Sequence, residues 1–401
     1  MKINNFWESE KISPDFLSHM NTQFNTLPHF KILENDDVVI ADMEKISVFK
    51  KFKDIIIFGI GGSSLGGQML YQFNQNENMT LHFIDNIDSK TFNKKLASLD
   101  LFNTGIICIS KSGNTAETLM QLLLTKQLFE EKIGQSWVNH FAILTEDKES
   151  ALRLFAKKFK VICLDHDLNI GGRFCIFTNV GAIISSLCNI DFISFRNGAR
   201  DLLTQPLEGL LQGAQYMTYL NQHKSVNQSV MMVYADCFEM YAQWYGQLWG
   251  ESLGKIKNGL HMGITPIASV GAVDQHSQLQ LYLDGPRDKL ISLVSVGHHE
   301  DTESVKDIGI THPAFETLLN KKMNHLLFAE QMGTLDTLKN RGCYVRQFDL
   351  PEATPYYLGQ LVIYQMIETI ATAFLLGVDP FDQPAVEESK VRAMDYLKQQ
   401  G

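Results

Sequence analysis

The chain has 401 residues, more than one compact core usually organises, so its length points to two domains sharing an interface. A hydrophobic share of 45% excludes a disordered chain, and a net charge of −10 argues against a general binder of nucleic acid or acidic membrane. Six scattered cysteines without a CxxC pair, no signal-like apolar run in residues 1–10 and no stretch read as membrane-spanning lead to the expectation of a cytoplasmic, soluble protein with free thiols.

In chain order, residues 1–30 read as an N-terminal helical segment. Short apolar runs then alternate with longer helical patterns, the signature of βα units and mainly parallel sheets. Strands are expected at 54–60, 81–85, 105–110, 140–144 and 160–164, with helices at 65–73 and 115–130. The run Ile55-Ile-Ile-Phe-Gly-Ile60 is apolar at consecutive positions, which suits a strand covered on both faces. These elements make a first domain over 31–200, followed by a helical linker at 201–228. A second set, with strands at 229–234, 264–269, 290–296 and 344–350, makes a second domain over 229–376. Its helices are expected at 237–251, 272–284, 314–338 and 355–376, and a last helix at 383–399 lies in a terminal segment, 377–401.

Two loops carry most of the chemistry. The strand at 54–60 runs into Gly59-Ile-Gly-Gly-Ser-Ser-Leu-Gly-Gly67 and then a helix. Glycines let backbone N–H groups approach an anion, and the new helix offers its positive end. The third strand ends in Ser110-Lys-Ser-Gly-Asn-Thr-Ala-Glu-Thr118, a cluster of donors at another helix start. Either loop alone could be only a tight turn or a plain N-cap. Together, at the carboxyl ends of neighbouring strands, they read as a phosphate cradle. Neither P-loop nor dinucleotide spacing is present.

These loops resemble the sugar-isomerase (SIS) fold of the glucose-6-phosphate isomerase family. Three further segments narrow the resemblance to that family: Gly171-Gly-Arg-Phe174, Gln247-Leu-Trp-Gly-Glu-Ser-Leu-Gly-Lys255 and Asp379-Pro-Phe-Asp-Gln-Pro-Ala-Val-Glu-Glu-Ser-Lys390. Asp274-Gln-His-Ser-Gln-Leu-Gln280 is similar to a family Gln-His element. The resemblance implies an α/β fold of two SIS-type, flavodoxin-like three-layer domains with mainly parallel sheets and a C-terminal helix. It implies reversible aldose–ketose isomerisation of glucose 6-phosphate and fructose 6-phosphate through a cis-enediol(ate), with no metal and no redox cofactor. Glu251 falls on the base, and Arg173 on the cation that steadies the intermediate. His276 and Lys390 fall on residues assisting ring opening. Gly62, Ser63, Ser110, Lys111, Ser112 and Thr115 fall at the phosphate, and Gln383 on a substrate contact. The implied partners are a sugar phosphate and a second copy, in a homodimer whose His276 reaches the other subunit's site, with no nucleic acid and no membrane.

Local physics weighs each role differently. Tyr241, Trp244, Tyr245, Leu248 and Trp249 have helical spacing, so Glu251 emerges at the end of a buried helix. The plain alternative pairs Glu251 with Lys255 as an exposed i,i+4 couple. Arg173 read alone is as readily a surface turn residue as a functional one, Lys390 is the usual solvated helix lysine, and His276 has little local support. His298-His299 with Glu300-Asp301 has metal-ligand residue types without ligand spacing, and reads as a solvated loop. Competing readings are a non-catalytic sugar-phosphate sensor on the same fold, an aminotransferring relative, and an isomerase that also accepts mannose 6-phosphate. The sensor has no reason to keep Glu251, Arg173, His276 and Lys390 together. The aminotransferring relative needs an N-terminal cysteine, where this chain begins Met1-Lys2.

Overall fold

The computed structural model describes residues 1–7, 11–73, 78–298 and 302–400. Its strands are β1 (Lys2–Asn5), β2 (Asp54–Phe58), β3 (Thr80–Ile84), β4 (Thr104–Ile109), β5 (Phe141–Thr145), β6 (Ile162–Asp165), β7 (Gln228–Val233), β8 (Lys255–Lys257), β9 (Leu260–Met262), β10 (Thr265–Val270), β11 (Lys289–His298) and β12 (Tyr344–Glu352). The first sheet runs β3-β2-β4-β5-β6 and is parallel throughout. Consecutive apolar residues dictate that arrangement: Ile55 and Ile57 enter one core while Ile56 and Phe58 enter another on the opposite face. The strand order is the doubly wound 2-1-3-4-5, whose winding reverses between β2 and β4.

The second sheet runs β1-β12-β11-β7-β10. Its four parallel members repeat the 2-1-3-4 order, so the two sheets share one plan. β1 adds an antiparallel edge, with Lys2 opposite Asp349. Residues 2–5 are therefore a strand, not part of an N-terminal helical segment, because pairing with β12 decides their conformation. Helices Pro14–Thr26 and Pro28–Lys31 follow.

Other elements differ from expectation in readable ways. The stretch after residue 190 is two helices, Phe192–Leu203 and Leu207–Lys224, separated around Pro206. The helix expected over 314–338 splits into Pro313–Leu318 and Met323–Asn340, with Asn320 left-handed between them (φ 59°). The expected 272–284 helix is a short turn, Val273–His276, and then Leu279–Asp284. The β8–β9 hairpin turns at Asn258-Gly259, both at positive φ. Helix Pro355–Leu376 is long and apolar enough to cross a membrane, against the expectation that none would be. It is buried continuously from Leu358 to Ala373, as a core helix is.

Candidate active site

Three loops leave the carboxyl ends of first-sheet strands: 59–64 after β2, 110–115 after β4 and 166–173 after β6. The first two flank the reversal of winding, where ligands of such sheets collect. Ser63 closes the short helical turn Gly61–Ser63 ahead of helix Leu65–Phe73. In the second loop the Ser110 and Thr115 hydroxyls lie 2.8 Å apart, and Ser112 Oγ accepts from the Asn114 N–H. Thr115 occupies the N-cap of helix Ala116–Ile133 but makes no side-chain capping bond. The plain-cap reading therefore fails, and the first N–H groups of that helix remain suited to an anion.

Gly62 is also constrained by packing. A Cβ there would fall 2.1 Å from the Gly172 carbonyl carbon and 2.6 Å from the Arg173 nitrogen. Only a residue without a side chain lets the 59–64 loop seat directly on the Gly171-Gly172-Arg173 turn. This contact joins the cradle to the arginine.

Arg173 is 3% exposed, and all five of its N–H donors have partners. Nε donates to Ser252 Oγ (2.9 Å), and Nη1 to Glu251 Oε2 (3.0 Å) and Gln383 Oε1 (2.9 Å). Nη2 donates to the carbonyls of Pro380 and Asp382. One guanidinium thus gathers the end of helix Glu239–Leu253, the 379–383 turn and the first-sheet loops. Burial pulls its pKa down, and the Glu251 charge opposes that pull.

Glu251 sits in the last turn of helix Glu239–Leu253, with its side chain 31% exposed. Its second oxygen, Oε1, accepts from Gln247 Nε2 at 2.9 Å. Both carboxylate oxygens are thereby aimed while one side faces solvent. Lys255 does not pair with it: Lys255 begins β8 and donates to the Asp382 backbone and carboxylate. Gln247 is not among the expected site residues, although its i−4 spacing from Glu251 is readable in the sequence.

His29, outside the expected set, packs beside the Arg173 turn and the 379–383 turn. It is 4% exposed, stacks on Phe381 (4.7 Å between centroids) and meets Phe174 edge-on. Burial, with Lys111 and Arg173 nearby, pushes its pKa down to about 4, so it is neutral at pH 7.

The remaining expected residues lie elsewhere or do something else. Lys111 does not point at the cradle: Nζ donates to the carbonyls of Leu168 (3.0 Å) and Ile170 (2.9 Å) and lies 3.6 Å from Glu146 Oε1. Lys390 is on the exposed helix Pro384–Gln399 and bonds Glu387 at 2.6 Å. His276 is exposed, in the turn that follows the carboxyl end of β10. Helix Glu239–Leu253 delivers Glu251 near the opposite, amino end of that strand, since a Cβ on Gly250 would lie 3.7 Å from Pro266. The strand between them spans about 16 Å. One copy of the chain therefore does not bring His276 to Glu251. His299, Glu300 and Asp301 lie outside the described residues.

Comparison with known proteins gives a consistent picture. The family described as phosphoglucose isomerase matches residues 29–400. A glucose-6-phosphate isomerase of Thermus thermophilus is 33% identical over 343 residues, covering 84% of this chain and 82% of that protein. Its counterpart from Campylobacter jejuni is 32% identical, covering 86% and 85%. A crystal structure of a hypothetical protein from Thermus thermophilus superposes with a TM-score of 0.89 at 30% identity, over 96% of this chain and 94% of that one. A glucose-6-phosphate isomerase structure from Chlamydia trachomatis shares the fold, with a TM-score of 0.79 at 20% identity over 100% and 81%.

Proposed function

The chain belongs to the phosphoglucose isomerase family, and on that premise we propose that it interconverts glucose 6-phosphate and fructose 6-phosphate with Glu251 as the proton carrier. The observation that supports this most is the aimed carboxylate, held by Arg173 at 3.0 Å and Gln247 at 2.9 Å beside the cradle loops. Ser63, Ser110, Ser112, Thr115 and the backbone around Gly62 grip the phosphate. With the sugar's tail fixed there, Glu251 takes the proton from C2 of the open-chain aldose. Electrons move into the C1–C2 bond and the carbonyl oxygen becomes the enediolate oxygen. The C2 hydroxyl proton passes to the C1 oxygen across the cis-enediolate, and Glu251 then returns its own proton to C1, which leaves a carbonyl at C2 and a hydroxyl at C1, the ketose. A carboxylate suits this task because it can accept a proton and release it to the neighbouring carbon. Arg173 stabilises the negative oxygen, which takes the place of Gln383 Oε1 at Nη1. A sensor would have no use for a carboxylate so held.

Ring opening needs an acid, and His276 is that acid, supplied by a second copy. The amino and carboxyl ends of β10 keep it from Glu251 of its own chain. The surfaces around it suit an interface: Ile308, Ile310, Phe315, Met323 and Phe328 are exposed apolar side chains following β11 at the end of the sheet that carries His276. The C-terminal helix, with Lys390, exposes Val391, Met394 and Leu397 as well. We assign both to a homodimer, in which Lys390 assists ring opening.

The test is a coupled assay of fructose 6-phosphate conversion by the wild type and Glu251→Gln. The amide keeps the shape but cannot accept the proton, so turnover should fall by about 10²–10⁴-fold. Wild-type turnover in the variant would remove Glu251 from this role.

A further inference from the structure

A lysine beside a phosphate cradle is expected to neutralise the phosphate, yet Lys111 is built for another purpose. An ammonium has three donors and no acceptor. Two of those donors go to the carbonyls of Leu168 and Ile170, and the third direction faces Glu146 Oε1 at 3.6 Å. The backbone is tied to the same neighbourhood: the Lys111 carbonyl accepts from the Glu146 N–H and from Thr145 Oγ1. Ile170 is three residues before Arg173, and the turn between them is the one on which Gly62 is seated. The chain of contact runs from Lys111 to the 168–170 loop, to the Gly171-Gly172 turn, to the guanidinium, to Glu251. Neighbouring His29 is neutral, so it adds no positive charge beside Lys111 and Arg173.

We propose that Lys111 is a positioning residue for Arg173, fastening the 168–170 loop, and gives no direct bond to the phosphate. This deepens the isomerase reading and rests on it for the kinetic readout. Losing the ammonium leaves two carbonyls without their donor and lets the turn drift, which misplaces a guanidinium that must sit within hydrogen-bond reach of the reacting oxygen. The phosphate grip, made by hydroxyls and backbone N–H groups, loses none of its own donors.

The experiment compares wild type, Lys111→Met, Arg173→Lys and the double variant, measuring kcat, KM and inhibition by inorganic phosphate. Expected is a fall in kcat of about ten- to a hundredfold for Lys111→Met, with phosphate inhibition within about twofold of wild type. In the double variant Lys111→Met should add little to the loss from Arg173→Lys, because the first acts through the second. Phosphate inhibition weakened tenfold with kcat intact, or fully additive kcat losses, would overturn the proposal. If Lys111→Met does not fold, Lys111→Gln, which retains one amide donor, is read by the same constants. Thermal stabilisation by inorganic phosphate separates this proposal from the isomerase reading. An inactive wild type would refute the reading alone, while equal phosphate stabilisation in wild type and Lys111→Met would still support the role of Lys111, and loss of it in the variant would overturn that role.

Discussion

Two Arg–Glu pairs in this molecule have similar chemistry and opposite surroundings. Arg346 and Glu368 lie in the core of the second sheet region, both side chains fully buried, in a two-pronged pair completed by Ser292 on Nε. Burial pulls Arg346 toward neutrality, but the Glu368 charge outweighs it and keeps the guanidinium protonated. Arg173 and Glu251 meet through a single bond, and Glu251 keeps an open side. A carboxylate closed on both oxygens by one arginine is a strut. A carboxylate aimed by two different donors and open to a ligand is placed as the proposed proton carrier needs to be. The sheets that hold the pairs share one winding, so the difference lies in the loops and helix ends grafted on them, not in the fold.

The contrast can be broken most forcefully at Arg346. Arg346→Met leaves Glu368 buried without its partner, and should lower stability by roughly 3–5 kcal/mol in urea unfolding. Glu251→Gln should change the same measurement by less than about 1 kcal/mol, because Arg173 keeps its other four bonds. Equal losses would erase the distinction.

A smaller effect belongs to the crowding around Arg173. His29 has its folded pKa depressed to about 4, against an ordinary value of 6.5, so the unfolded chain binds more protons between those values. Its neutral form therefore supports the fold fully above pH 6.5, and that support is lost as pH falls toward 4. The loss is at most about 3 kcal/mol. His29→Phe, which cannot be protonated, should show a flatter fall over that window, and parallel curves would refute the assignment. The smallest effect is at the cradle rim: Ser112→Ala removes one exposed hydroxyl and should raise KM by about tenfold or less with kcat unchanged. An unaltered KM would count against Ser112 as a phosphate contact.

How much of this is readable in the sequence depends on the distance over which each feature is decided. The apolar run of β2, the glycine loop and the donor loop are local, and they are legible. The Asn258-Gly259 hairpin is equally local, yet its two flanking strands are only three residues each and leave little pattern to read. β1 is beyond reach, since Asn4 finds its partner Gln347 at a separation of 343 residues. The Arg173–Glu251 pair spans 78 residues and is implied only by resemblance to a family. Lys111 departs from expectation because a long flexible side chain declares its charge in sequence but not its direction. Two backbone carbonyls, which no sequence pattern marks, decide where that charge goes. His276 poses the reverse problem: its place beyond the far end of β10 becomes meaningful only once the sheet is built.

The most direct measurement follows hydrogen, not rate. Conversion of glucose 6-phosphate in D2O, followed by NMR of the fructose 6-phosphate formed, should show solvent deuterium at C1, because a carboxylate-borne proton can exchange before its return. Glu251→Gln should lower conversion and labelling together, by about 10²–10⁴-fold, while inorganic phosphate still stabilises the variant against heat. Full conversion by the wild type with no deuterium at C1 under any condition, or labelling that persists undiminished in Glu251→Gln, would contradict proton transfer by this carboxylate.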